Sequence, residues 1–191
     1  MAITGAEASE VGENYTKLAS LLAKKRWQRA DRATAEKLLQ VAGKKQLGML
    51  EMEDIQQFPC RDLRTIDNLW LARSQGEFGL TVQRKIYDSI YNELQKRSER
   101  DVYIVSDTFN RFAEQVAWKR KDKPFLYDED ELPINSEGGE GHLPRSYIQL
   151  NAPRCCREVV LGTLCFLCAS PLSSAPETMP AFLERTKSCQ L

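Results

Sequence analysis

The chain has 191 residues, 42% of them hydrophobic and 28% charged, with 27 Lys and Arg set against 27 Asp and Glu. This predicts one soluble domain plus a tail, large enough to bury a core without help from disulfides or a metal. Zero formal charge argues against bulk nucleic-acid or anionic-membrane binding, which needs a large cationic excess. A single histidine, His142, removes His-pair metal sites and most relay chemistry.

Residues 1–13 read as a small, acidic leader with neither an apolar signal core nor the Arg-rich character of a transit peptide. The first helix should start near Asn14, a good N-cap, with Tyr15, Leu18, Leu21 and Leu22 at helical spacing. After a break near Lys25, Asp31 is placed to cap a second helix carrying Ala35, Leu38, Leu39 and Ala42. Residues 49–57 suggest a short helical turn. Pro59 suits the first turn of a helix with Leu63, Ile66 and Trp70 as its apolar stripe, ending near Ser74.

The stretch from Ser74 to Gly79 reads as a tight glycine loop that leaves Phe78 exposed, and it lacks the strand and Lys-Ser/Thr pair of a phosphate cradle. Thr81 should cap a helix with Val82, Ile86, Ile90 and Leu94 on one face and Tyr87 and Tyr91 beside them. Residues 101–105 fit a short strand or a link, and Asp107 a cap for a helix bearing Phe109, Phe112, Ala113 and Val116. Beyond Trp118 the charge, proline and glycine content predicts a long loop. The pattern is all-α.

Five of the six cysteines follow position 150: Cys155, Cys156, Cys165, Cys168 and Cys189, with Cys60 alone upstream. That is no disulfide framework and points to a reducing compartment. A four-thiolate zinc set from Cys155, Cys156, Cys165 and Cys168 is disfavoured, because the intervening residues are apolar instead of turn-forming; buried thiols are the simpler reading. The apolar run from Val159 to Leu172 is short for a bilayer span.

Asp62 and Asp67 lie about 140° apart around one predicted helix, poorly placed as a carboxylate pair. Asp62 better neutralises the helix N-terminus, and no nucleophile, base and orienter set emerges.

In the loop from Trp118 to Tyr127, Trp118, Phe125 and Tyr127 flank Lys119, Arg120, Lys121 and Lys123. Aromatic faces beside cations suit a flat apolar anion such as a porphyrin dicarboxylate. Spacing alone favours the plainer alternative, in which Trp118 anchors a helix end in the core and the lysines form a solvated face. Single-stranded nucleic acid is a poorer fit, since Asp128 to Glu131 cancel the local field.

Taken in order, Tyr15-Thr-Lys-Leu, Trp27-Gln-Arg-Ala-Asp31, Phe58-Pro-Cys-Arg-Asp-Leu63, Thr65-Ile-Asp-Asn-Leu-Trp70, Ser74-Gln-Gly-Glu-Phe-Gly79, Val82-Gln83 and Gly141-His-Leu-Pro144 resemble the genomes-uncoupled-four family, over residues 15 to about 144. The resemblance implies an all-helical core shaped like a cupped hand, whose concave face receives protoporphyrin IX and Mg-protoporphyrin IX as ligands. It implies no other cofactor, no metal site and no catalysis. It also implies a monomer that activates magnesium chelatase in chlorophyll biosynthesis through the large H subunit, with room for peripheral membrane association. The setting would be a chloroplast stroma or thylakoid surface, or a cyanobacterial cytoplasm.

On this reading Phe78, Trp118, Phe125 and Tyr127 meet the macrocycle, while Lys119, Arg120, Arg145 and Arg154 pair with its propionates. The chain divides into a leader (1–13), a porphyrin-binding core (14–150) and a Cys-rich extension (151–191). Ala117 stands where the family usually has glycine before the tryptophan. With only His142 to offer, the protein would leave the metal of a magnesium porphyrin to water. A helical adaptor that kept the fold and lost the ligand is the alternative, and an enzyme acting on tetrapyrroles lacks an acid and base set.

Overall fold

The computed structural model describes residues 8–97, 104–119, 139–151 and 175–191, which form an all-helical fold. Along the chain come α1 (Thr16–Ala23), α2 (Trp27–Val41), α3 (Met52–Gln56), α4 (Cys60–Ser74), α5 (Leu80–Arg97), α6 (Ile104–Gln115), a 3-10 helix (Ser146–Gln149) and α7 (Ala175–Ser188). Apolar periodicity selects the faces: Leu18 and Leu22 on α1, Leu63, Ile66 and Trp70 on α4, and Phe109, Phe112 and Ala113 on α6 are all buried. α1 packs on α2 and α4, and α5 packs on α6.

Three carboxylates tie distant parts of the chain together. Asp31 lies inside α2; its carboxylate accepts from the Arg145 and Ser146 amides at 2.7 and 3.0 Å and from Ser146 Oγ at 2.7 Å, capping the 3-10 helix. Asp67 of α4 caps α5 in the same way, accepting from the Thr81 amide at 3.0 Å and from its hydroxyl. Thr81 is therefore a capped residue, and α5 begins one residue earlier. Asp62 lies in the first turn of α4, as expected, and also accepts from Tyr15 Oη at 2.6 Å, from the Glu10 amide at 2.8 Å and from Ser9 Oγ. Asp107 is likewise no cap: it sits in the first turn of a helix that starts at Ile104.

Residues 8–13, read as leader, are thereby tied to α4, with Thr65 Oγ1 also donating to Ala8 O at 2.7 Å. The C-terminal residues join the core as well. Met179 and Phe182 are fully buried, and the Phe182 ring meets Phe58 and Tyr147 at centroid distances of 6.2 and 5.2 Å. Arg185 donates twice to Phe58 O, Arg64 donates to Cys189 O at 2.6 Å, and Arg84 donates to Leu191 O at 2.8 Å. Cys60 and Cys189 form a disulfide with a Cα separation of 5.2 Å, which corrects the expectation of reduced thiols.

Ala117 adopts φ +56°, a left-handed conformation that costs an L-residue about 1–2 kcal/mol. Glycine removes that strain but loses more entropy on folding. Ala117→Gly should therefore raise stability by about 0.5–1 kcal/mol, read from the urea midpoint at unchanged m-value.

Candidate functional site

The segment from Gly141 to Tyr147 is latched to α5 and to the end of α6. Gln83 Nε2 donates to Gly141 O and Pro144 O at 2.9 and 2.7 Å, and Tyr147 Oη donates to Gln83 Oε1 at 2.9 Å. Trp118 Nε1 donates to His142 O at 2.6 Å, and His142 Nδ1 lies 2.6 Å from Val116 O. The end of the chain after α6 and the segment at His142 are thus held side by side. Gly141 sits at φ +77°, a left-handed conformation that favours glycine, and a Cβ there would also push on Ile86 Cδ1 at 2.6 Å.

Of the residues read from sequence as ligand contacts, Arg120, Phe125, Tyr127 and Arg154 lie outside the described residues, as do Cys155, Cys156, Cys165 and Cys168. Trp118 is fully enclosed, its ring edge-on to Phe112 at 5.3 Å. Phe78, expected to be exposed, is 1% accessible: positive φ at Gln75, Gly76 and Gly79 turns the loop inward, and the ring meets Trp27 and Trp70 at 5.4 and 6.3 Å. Lys119 Nζ donates to Asn110 Oδ1 at 2.9 Å. Arg145 is buried beside Asp31, whose ionised form its charge favours.

A groove of about 470 Å³ runs between α5, α6 and α7. Tyr87, Tyr91, Val105 and Leu183 line it with apolar groups, Arg84 and Lys187 bring cations and Asp88 and Glu184 matching carboxylates, with Lys187 Nζ 3.7 Å from Glu184 Oε2. Its volume falls within the range of small-molecule sites. Tyr87 packs edge-on against Phe112 at 6.1 Å, and burial pushes its hydroxyl up to about 12, so it remains a neutral donor. Val105 is 45% exposed at the rim. A larger depression of about 530 Å³, beside Gln40 and Lys45, has no aromatic ring in its lining. In sequence Tyr87 and Tyr91 showed as a one-turn pair, while Lys187 and Leu183 carried no signal because the tail showed no pattern.

Among the described residues no group of three His, Cys, Asp or Glu side chains is gathered to hold a metal ion, and no helix is long and apolar enough to cross a membrane. Burial raises the carboxyls of Asp31 and Asp67 above the ordinary range, against the hydrogen bonds each accepts. A raised folded pKa means that the native state holds the extra proton. The stability linked to it is full below about pH 4 and is lost as pH rises through the folded pKa. The Tm of wild type should therefore fall relative to that of Asp67→Asn as pH rises from about 4 to 7, measured by thermal melts at constant ionic strength.

The family model described as GUN4-like matches residues 8–161. The chain belongs to the GUN4-like family. Among relatives, the ycf53 protein of Pyropia yezoensis is 35% identical over 133 residues, covering 69% of this chain and 49% of the relative. The chloroplastic tetrapyrrole-binding protein of Arabidopsis thaliana is 26% identical over 144 residues, covering 71% and 49%. The chain spans about half the length of the curated relatives it matches. The ligand-free structure of Arabidopsis thaliana GUN4 superposes with a TM-score of 0.56 at 25% identity, over 92% of this chain and 99% of the other. GUN4 from Chlamydomonas reinhardtii gives 0.55 at 25% identity, over 73% and 84%. The all-helical GUN4 fold expected from sequence is thus the fold observed.

Proposed function

We propose that this protein binds protoporphyrin IX and Mg-protoporphyrin IX and acts without catalysis of its own. It would stimulate magnesium chelatase by presenting the porphyrin to the large H subunit, in a chloroplast or a cyanobacterial cell. The observation that carries this is membership of the GUN4-like family, one of whose relatives is named as tetrapyrrole-binding.

The groove between α5, α6 and α7 suits such a ligand. Tyr91 and the half-exposed Val105 would offer the macrocycle apolar contact, and Lys187, exchanging its exposed Glu184 partner, would pair with a propionate. His142 is buried with its Nδ1 beside Val116 O, so recognition of a magnesium porphyrin would rest on the macrocycle face and propionates. Burying about 400 Å² of apolar surface gives roughly 10 kcal/mol before association costs of about 4–15 kcal/mol, compatible with micromolar affinity.

Titration with protoporphyrin IX, followed by its Soret band and tryptophan fluorescence, should saturate in the micromolar range. Tyr91→Ala combined with Lys187→Glu should weaken binding about tenfold or more while costing less Tm than truncation of a fully buried ring, Tyr91 being partly exposed and Lys187 exposed. An unchanged Soret band at tens of micromolar wild-type protein would overturn the proposal and favour the adaptor reading.

A further inference from the structure

We propose that the Cys60–Cys189 disulfide is a reversible strap: closed, it holds α7 as one wall of the groove, and opened by a dithiol it loosens that wall and lowers porphyrin affinity. The affinity clause rests on the tetrapyrrole reading above; the strap itself does not.

The bond joins residues 129 apart in sequence, the first residue of α4 and the end of α7. α7 supplies Pro180, Leu183, Glu184 and Lys187 to the groove, so whatever fixes α7 fixes the side chains that would meet a ligand there. Without the bond, α7 keeps the Arg64 and Arg84 hydrogen bonds to its final carbonyls and its buried face of Met179, Phe182 and Leu183. Opening it therefore removes one constraint and leaves the core intact, giving two folded states that differ in how firmly α7 is held. Cys189 lies beyond residues 8–161 matched to the family, so the strap is read from this chain alone.

The two sulfurs differ in their surroundings. Cys189 is 4% exposed, whereas Cys60, the first residue of α4, is partly exposed and is the sulfur an incoming thiol can reach. A thiolate of an incoming dithiol attacks Cys60 Sγ and forms a mixed disulfide. The electron pair of the old bond leaves with Cys189, which takes a proton. The second thiol of the reductant gives up its proton, attacks its own bound sulfur and releases Cys60 as a thiolate, which takes up a proton. Two electrons pass from the dithiol, which ends as a disulfide; an oxidised dithiol reverses the sequence.

The test uses the full chain, oxidised or treated with dithiothreitol, with Cys60→Ser and Cys189→Ser as variants that cannot close the bond. Cys60 is the more exposed of the two and keeps the test open should Cys189→Ser fold poorly. Three readouts are taken: the Cys60–Cys189 linked peptide by non-reducing mass spectrometry, amide exchange across 175–191, and protoporphyrin IX titration. The expected result is a linked peptide in the oxidised protein, exchange across 175–191 about tenfold faster on reduction, and a Kd raised about threefold or more. Both variants should resemble the reduced protein and ignore dithiothreitol. Absence of the linked peptide, or unchanged exchange on reduction, overturns the strap. Faster exchange with unchanged Kd overturns its control of the groove. Faster exchange with no porphyrin bound in either state overturns the tetrapyrrole reading and supports the strap.

Discussion

Trp118→Ala is expected to destabilise the protein by about 3–5 kcal/mol, lowering Tm by roughly 6–20 °C in thermal denaturation followed by circular dichroism. The indole is fully buried, edge-on to Phe112, and its Nε1 donates to His142 O. Removing it leaves a large cavity at the end of α6 and takes away the donor that holds the returning chain at His142. Trp118→Phe separates the two effects: it keeps most of the ring and loses the hydrogen bond, for an expected cost of about 1–3 kcal/mol. The same geometry governs how a ligand assay is read. Lost porphyrin binding in Trp118→Ala would report a disturbed fold, whereas the partly exposed Tyr91 and the exposed Lys187 test contact directly. A Trp118→Ala variant that melted within about 2 °C of wild type would show that the ring is not a core residue in solution.

The helices were legible in the sequence because each buries a stripe at its own period: Leu63, Ile66 and Trp70 announce α4, and Phe109, Phe112 and Ala113 announce α6, without reference to anything distant. What joins the helices was not legible. Asp31 reaches Ser146 across 115 positions, Asp62 reaches Glu10 across 52, and Cys60 meets Cys189 across 129. A carboxylate caps whichever helix end the fold brings to it, so local spacing assigned Asp31 to its own helix and missed the one it serves. Phe78 failed differently. Flanking glycines signalled a loop correctly, but their positive φ values turn the ring inward between Trp27 and Trp70, and hydrophobicity was the better guide to its place. The groove was half visible, since Tyr87 and Tyr91 lie one turn apart on α5 while the wall opposite comes from a tail that showed no periodicity.

That wall gives the second large effect. Phe182→Ala should cost about 3–5 kcal/mol, because the ring is fully buried between Phe58 and Tyr147 and its removal leaves a cavity in a close-packed core. The loss should be localised as well as global. Phe58 precedes α4 and Tyr147 lies in the 3-10 helix, so emptying the site between them weakens the seat of α7 while leaving the α1–α2 and α5–α6 pairs in place. Amide exchange should therefore quicken most across 175–191 and least in α2, and a chemical-denaturation midpoint should fall at nearly constant m-value. An alternative in which α7 merely rests on the surface predicts a change below about 0.5 kcal/mol, as for an exposed substitution. The same experiment decides whether removing the tail could ever be a neutral truncation: if Phe182 carries this energy, a chain ending at residue 150 exposes the Phe58 and Tyr147 rings to water and loses the partner of Cys60 together with one side of the groove.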